Sequence, residues 1–197
     1  MACDNFLWFP ESAKGGLLES GAKPTGESTD KWFGSKSEYK ALELLSIAFG
    51  VAQAETTGSQ STGSAAGKAK FEEFTIEKFV DLASVPLYQA CCAGAHFPTI
   101  GLAIRKVGGD NLIYAQYIFR QVFVTSINWN GGQGEEAPKE TIKFRYGAMG
   151  IQYVRQMSTG GAGVPIQARW SNITNKPELV VPGLSGEPKF IGVTQSK

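Results

Sequence analysis

The chain has 197 residues and a net charge of +1, from nineteen Lys and Arg against eighteen Asp and Glu, and is rich in Gly (24), Phe (12), Tyr (6) and Trp (4). This length suits one domain that buries roughly 70% of its unfolded surface, and the composition suits an all-β domain with many turns. The lack of a basic block argues against nucleic-acid binding, no window approaches the ~20 apolar residues of a membrane span, and MACDNFLWFPES at the start lacks the features of a cleaved signal peptide.

In chain order, Asn5–Phe9 reads as a first strand ended by Pro10. Residues 10–40 form a long connection, with Leu17, Leu18, Trp32 and Phe33 available to pin it down. Ala41–Gln53 is a second strand whose apolar positions run 42 and 44, then 45, 47, 49 and 51, the one-residue slip that a β-bulge leaves. The stretch 54–67, AETTGSQSTGSAAG, holds no core-forming residue and reads as an extended, flexible Gly/Ser loop. Its GSAAGK is one residue short of a phosphate-cradling loop, and Ala69 stands where a magnesium-binding Ser or Thr belongs.

From Lys70 a strand-like run with Phe71, Phe74, Ile76 and Phe79 feeds the one short helix, about 84–94. Asp81 and Ser84 are its candidate caps, Ser84 being the better N-cap because its oxygen can accept from a free first-turn N–H. Pro86 is tolerable in that turn, Leu87, Ala90 and Cys91 make one apolar stripe, and Gly94 is the stop. So short a helix needs a larger body to pack on.

Thr99–Arg105 alternates with Ile100, Leu102 and Ile104 on one face, and Gly108-Gly109-Asp110 marks a tight turn. Leu112–Trp129 is the longest β-run and is apolar on both parities, with Ile113, Ala115, Tyr117 and Phe119 on one. The other parity carries Tyr114, Ile118, Val122 and Val124. An antiparallel sheet normally wets one face, so these four are the candidate subunit-interface strand, with the helix supplying part of the cover. After a loop at 130–139, Thr141–Arg155 switches parity near Gly147, from Ile142, Phe144 and Tyr146 to Met149, Ile151 and Tyr153. A turn-rich linker at 158–164, a last strand over Pro165–Asn172 and a polar, proline-bearing tail at 175–197 complete the chain. The expected fold is a single, mainly β domain: a small β-barrel, or two packed antiparallel sheets, with one short flanking α-helix.

No catalytic constellation stands out, and no metal or cofactor is assigned. Cys3, Cys91 and Cys92 are odd in number, two of them adjacent, which argues against a disulfide framework and fits a reducing cytosol. Cys91, Cys92 and His96 lack the usual metal-ligand spacing, and His96 is expected to close the helix end by donating to its free carbonyls. A Ser84–His96–Asp81 triad would draw on opposite ends of a helix roughly 15 Å long. Glu72-Glu73 and Glu135-Glu136 read as solvated or edge-guarding pairs, since adjacent strand residues face opposite sides. Asn172-Ile173-Thr174 matches a glycosylation acceptor, which carries little without a secretory route.

These blocks in this order resemble the Hcp family, the haemolysin-coregulated tube proteins of type VI secretion. The resemblance runs from about Gly26 to Asn175. It includes GESTD at Gly26–Asp30, ELLSIAFGVAQ before the Gly/Ser loop, GKAKFEEFTIEKFVD, ACCAGAHFP ending at Pro98, IRKVGGD at Ile104–Asp110, and Glu140-Thr141-Ile142-Lys143-Phe144. Two departures stand out: a longer Phe9–Lys23 segment, and Pro86 one position later than usual. The resemblance implies a barrel that closes into homohexameric rings, which stack into a hollow tube driven out by contractile sheath proteins. It also implies a VgrG-type spike at the tip and effector cargo in the lumen. Thr57, Gly58, Ser59, Gln60, Ser61, Thr62, Gly63 and Ser64 would form the ring-stacking loop, and Asp81, Ser84, Gly94 and His96 would serve structural roles at the helix. The protein would sit in the bacterial cytoplasm and then be secreted without a cleaved signal, with no enzymatic activity, nucleic-acid partner or membrane insertion. A contractile phage-type tail-tube protein and a monomeric β-sandwich binding module are the rival readings. An enzymatic effector is disfavoured, because the 23 residues from Asn175 leave no room for a toxin domain.

Overall fold

The structure is a computed structural model and describes residues 3–18, 21–53, 68–107, 112–133, 137–157 and 161–193. Its strands follow the alternating stretches in chain order: β1 (Cys3–Trp8), β2 (Leu42–Leu44), β3 (Ser46–Ala48), β4 (Val51–Gln53), β5 (Ala69–Phe71), β6 (Phe74–Phe79), β7 (His96–Lys106), β8 (Ile113–Asn130), β9 (Lys139–Tyr153) and β10 (Ile166–Ser171). The helix α1 (Ser84–Ala93) lies between β6 and β7 in the chain. One antiparallel sheet runs β2-β1-β7-β8-β9-β6-β3, with β10 added beside β9.

The two ends of that path are neighbours in sequence. Only Leu45 separates β2 from β3, and its N–H donates to the Glu77 carbonyl at 2.8 Å. The sheet therefore curls almost fully round into a barrel, which removes the exposed edges an open sheet would carry. The slip at positions 44 and 45 is a change of partner strand, not the expected bulge. Leu42 and Leu44 turn inward beside β1, and Ile47 packs on the same core from beside β6. β4 and β5 form a separate two-stranded ribbon, and the 54–67 segment between them lies outside the described residues.

Aromatic rings fill the barrel. Phe74 stacks on Phe119 at 4.6 Å and on Phe144 at 5.6 Å, and Leu87 and Ala90 of α1 join the same cluster. Each such buried side chain contributes about 1.5–3 kcal/mol. A second cluster lies under the long connection: Phe33 is fully buried and stacks on Phe6 at 4.5 Å, with Trp8, Ala41, Ala103 and Ile113 around them. Trp32 and Phe33 thus pin the connection to the barrel, whereas Leu17 is left exposed.

The faces of β8 differ from the sequence expectation. Gln121 adopts a left-handed φ of 50° and sits between the pairs Arg120–Ala148 and Val122–Tyr146. Which parity faces the core reverses there: Tyr117 and Phe119 point inward before it, Val122 and Val124 after it. β9 makes the matching change at Gly147, from Ile142, Phe144 and Tyr146 to Met149, as its sequence predicts. Val122 and Val124 therefore belong to the subunit's own core. Ile118 faces the other way but is also buried, together with Ala148, under Leu179 and Val181 of the C-terminal segment, with Leu184 and Phe190 alongside. Tyr114 is half-buried, its hydroxyl 3.4 Å from Cys3 Sγ, and burial, then the thiol, pushes it up to about 12. The cover over Ile118 comes from this chain's own tail, and the expectation that Ile118, Val122 and Val124 offer an interface is corrected accordingly, while Tyr114 stays half-buried.

The tail is a strap, not a polar extension. Besides its apolar contacts, the Gln116 amide donates to the Ile191 carbonyl at 2.9 Å and accepts the Ile191 N–H at 3.0 Å. Buried Arg120 donates to the Gly186 carbonyl and to Thr99 Oγ1, each at 3.0 Å.

Candidate assembly surfaces

The start of α1 is set by a buried polar cluster. Lys78, at the end of β6, points inward and places its ammonium 2.6 Å from Asp81 Oδ1 and 2.8 Å from Glu140 Oε1, with the Phe79 carbonyl at 2.9 Å. Ser84 Oγ donates to Glu140 Oε1 at 2.7 Å and accepts the Asp81 N–H at 3.0 Å. The Trp129 indole N–H donates to the second Glu140 oxygen at 2.9 Å. Ser84 is consequently not the N-cap. It is the first helical residue, Ala83 occupies the cap position, and the Ala83 N–H is taken by Asp81 Oδ1 at 2.9 Å. The Ser84 oxygen is drawn away from the helix by partners on β6 and β9, and burial makes those bonds stronger than a solvated cap.

A serine beside a lysine suggests nucleophilic chemistry, but this pair is not arranged for it. An ammonium held by two carboxylates has no lone pair with which to take a proton, and the Ser84 proton is committed to Glu140. The cluster ties α1, β6, β8 and β9 together. His96 does not complete a triad with it. It opens β7, its backbone exchanges hydrogen bonds with Lys14, and its ring lies 5.4 Å from that of Phe123. Burial and, to a lesser degree, the Lys14 charge lower its pKa below 6.5.

The far end of the helix closes as expected at Gly94, whose left-handed φ of 64° lets its N–H reach back to the last turn. The carbonyl of Ala93 is satisfied by the Leu17 N–H at 2.9 Å, so the early connection does what His96 was expected to do. Gly16 makes this approach possible, since a Cβ there would lie 2.1 Å from the Ala93 oxygen. Among the described residues no group of three or more His, Cys, Asp and Glu is placed to hold a metal, and no helix is long and apolar enough to cross a membrane.

What remains is surface. Around the start of α1, the exposed side chains of Phe79, Leu82, Val85, Tyr88 and Trp129 form an apolar patch, with the Tyr88 and Trp129 rings 5.9 Å apart. Beyond the other end of β9, the hairpin to β10 exposes Tyr153, Met157, Val164 and Ile166. Buried Val154 fixes the alternation there, turning Tyr153 and Arg155 outward. Thr57–Ser64 lie outside the described residues, but the ribbon leading to them is solvent-exposed throughout β4.

The barrel and its helix have known counterparts. A family model described as "Type VI secretion system effector, Hcp" matches residues 16–153. The curated protein hcp1 of Pseudomonas aeruginosa is 28% identical over 106 residues, which is 53% of this chain and 65% of that protein, just under two thirds of its length. A solved structure of a type six secretion system protein superposes with a TM-score of 0.74 at 34% identity, covering 89% of this chain and 99% of that one. Hcp1 from Salmonella typhimurium superposes with a TM-score of 0.64 at 26% identity, with the same coverage of each chain.

Proposed function

This chain belongs to the Hcp family of type VI secretion proteins, and we propose that it is a tube subunit whose copies close into hexameric rings that stack into a hollow tube. The observation that carries the proposal is the agreement of the whole barrel with a type six secretion system protein at 34% identity over 89% of the chain. In this reading the chain is one structural domain, its chemistry is mechanical, and the Lys78–Glu140 cluster serves rigidity. The tube travels from the cytoplasm to the outside without a cleaved signal, pushed by a contractile sheath, tipped by a VgrG-type spike and loaded with effectors in its lumen. The separate ribbon of β4 and β5 that brackets Thr57–Ser64, exposed throughout β4, supports the further proposal that this segment reaches the adjacent ring.

Light scattering behind size exclusion, followed by negative-stain microscopy of the main peak, tests the reading. A mass near six subunits with annular particles is the expected result. A chain that stays monomeric at every concentration, with no annuli on the grid, overturns it.

A further inference from the structure

Asparagine carries an electrophilic carbon in its side-chain amide, and the main-chain nitrogen of the next residue is the nucleophile closest to it. The asparagines of this chain stand at positions 5, 111, 128, 130, 172 and 175, and only Asn130 is followed by a glycine. The others precede Phe6, Leu112, Trp129, Ile173 and Lys176, whose side chains crowd the nitrogen that would have to attack.

The fold leaves the nitrogen after Asn130 unoccupied. Asn130 is exposed, closes β8, and stands opposite Lys139 in the ladder with β9. One further rung would set Gly131 against Pro138, which has no N–H to offer. The Pro138 carbonyl is already turned to the Val80 N–H, 3.0 Å away. The pairing therefore stops, and the Gly131 N–H has no hydrogen-bond partner among the described residues. Gly131 is exposed, and as a glycine outside the ladder it can turn its nitrogen toward the neighbouring side chain. Asn128 is equally exposed, yet it lies within the ladder opposite Thr141 and precedes Trp129, whose indole is anchored by Glu140.

We propose that Asn130–Gly131 is a self-modification site at which the exposed end of β8 changes from an amide to a carboxylate. The Gly131 nitrogen gives its proton to hydroxide and bonds to Asn130 Cγ. The Cγ–Nδ2 bond then breaks, and ammonia leaves with a proton taken from water. The succinimide that remains is opened by a water molecule at one of its two carbonyls. Opening at Cγ yields aspartate; opening at the main-chain carbonyl yields isoaspartate, with the chain routed through the former side chain. The sum is one water consumed and one ammonia released, with nothing oxidised or reduced. Either product places a negative charge beside Lys139, because directly opposed residues of an antiparallel pair share a face. Aspartate keeps the last rung and gains that ammonium as a cross-strand partner. Isoaspartate lengthens the main chain by a methylene and breaks the rung. This corner of the barrel thus changes charge in one direction only, at a pace set by hydroxide.

Intact-mass spectrometry of the purified chain held in mildly alkaline buffer tests the site. Peptide mapping places the change, and methylation by an isoaspartyl methyltransferase counts the isoaspartate. The mass gain of an amide-to-acid exchange is expected, confined to the peptide that holds Asn130 and faster as pH is raised. Gly131→Ala is expected to slow it at least roughly tenfold, because a Cβ crowds the attacking nitrogen. The nearest atom to that Cβ would be Pro138 Cβ at 3.4 Å, an ordinary contact, so the variant is expected to fold. The urea-unfolded chain supplies a second measurement: native and unfolded chains are expected to react at comparable rates. A native chain that keeps its mass while the unfolded one gains it overturns the proposal, since the fold would then hold the Gly131 amide. A change that maps to another asparagine, or one that runs as fast in Gly131→Ala, overturns it as well.

Discussion

Glu140 is fully buried, and its two oxygens are satisfied by three separate elements: Lys78 from β6, Ser84 from α1 and Trp129 from β8. Removing it leaves an ammonium in the interior facing Asp81 alone. Glu140→Ala is therefore expected to lower unfolding stability by about 3–5 kcal/mol in urea titrations. A loss under about 1 kcal/mol would mean that water reaches Lys78 and that the cluster is not sealed. His96 supplies a different signature. Its folded pKa lies below 6.5, so the unfolded chain binds the proton first as pH falls, and folding stability present above pH 6.5 is lost below it. The melting temperature should drop between about pH 7.5 and about pH 5.5 in the wild type and much less in His96→Phe. Asp30 acts in a separate window. Burial opposes its ionisation, but its bonds to Arg105 and to the Phe33 and Trp32 amides outweigh that and hold it below 3.8, so its contribution fades only in stronger acid.

At the scale of elements, β6, β7, β8 and β9 were legible because long alternating runs leave few other options, and the helix because Gly94 and the Leu87–Ala90–Cys91 stripe bracket it. The faces of β8 were not. Nothing about a glutamine announces a left-handed backbone, and one such residue at 121 exchanges every inward side chain beyond it. Ser84 was misread as the cap because its real partners lie six and 56 residues away and enter only through the tertiary fold. The strap was missed for another reason. Leu179, Val181, Leu184 and Phe190 are too irregularly spaced to set a period, although they were a signal that the tail had something to cover. Leu179 is fully buried in that cover, and Leu179→Ala is expected to cost about 2–5 kcal/mol and to expose Ile118. A urea midpoint that does not move would show the strap to be dispensable for the barrel.

For the whole molecule, the order of elements and the one-domain length pointed to a barrel, but its manner of closure depends on contacts between residues far apart in sequence, which no local pattern encodes. The exposed apolar patches were equally hidden, because an exposed valine on a helix looks like any other until its neighbours are known. The segment between β4 and β5 belongs to this scale as well. Deleting Ser59–Ala65 should leave ring mass unchanged by light scattering while shortening stacked tubes in electron micrographs. Tubes of unchanged length would assign stacking to another surface.

The junction at Leu45 has a mechanical consequence. The barrel wall is one continuous strip whose two ends meet at a single residue, flanked by ladders of only three pairs each, β1 with β2 and β3 with β6. Elsewhere the wall is riveted by far longer ladders, such as the one joining β8 and β9 along nearly the whole of β9. Tension around the circumference would load every ladder of the wall, and bonds pulled across a short ladder give way before those of a long one. The wall therefore has a designated place to yield, and the same junction from which the β4–β5 ribbon departs is where a swollen barrel would first come open.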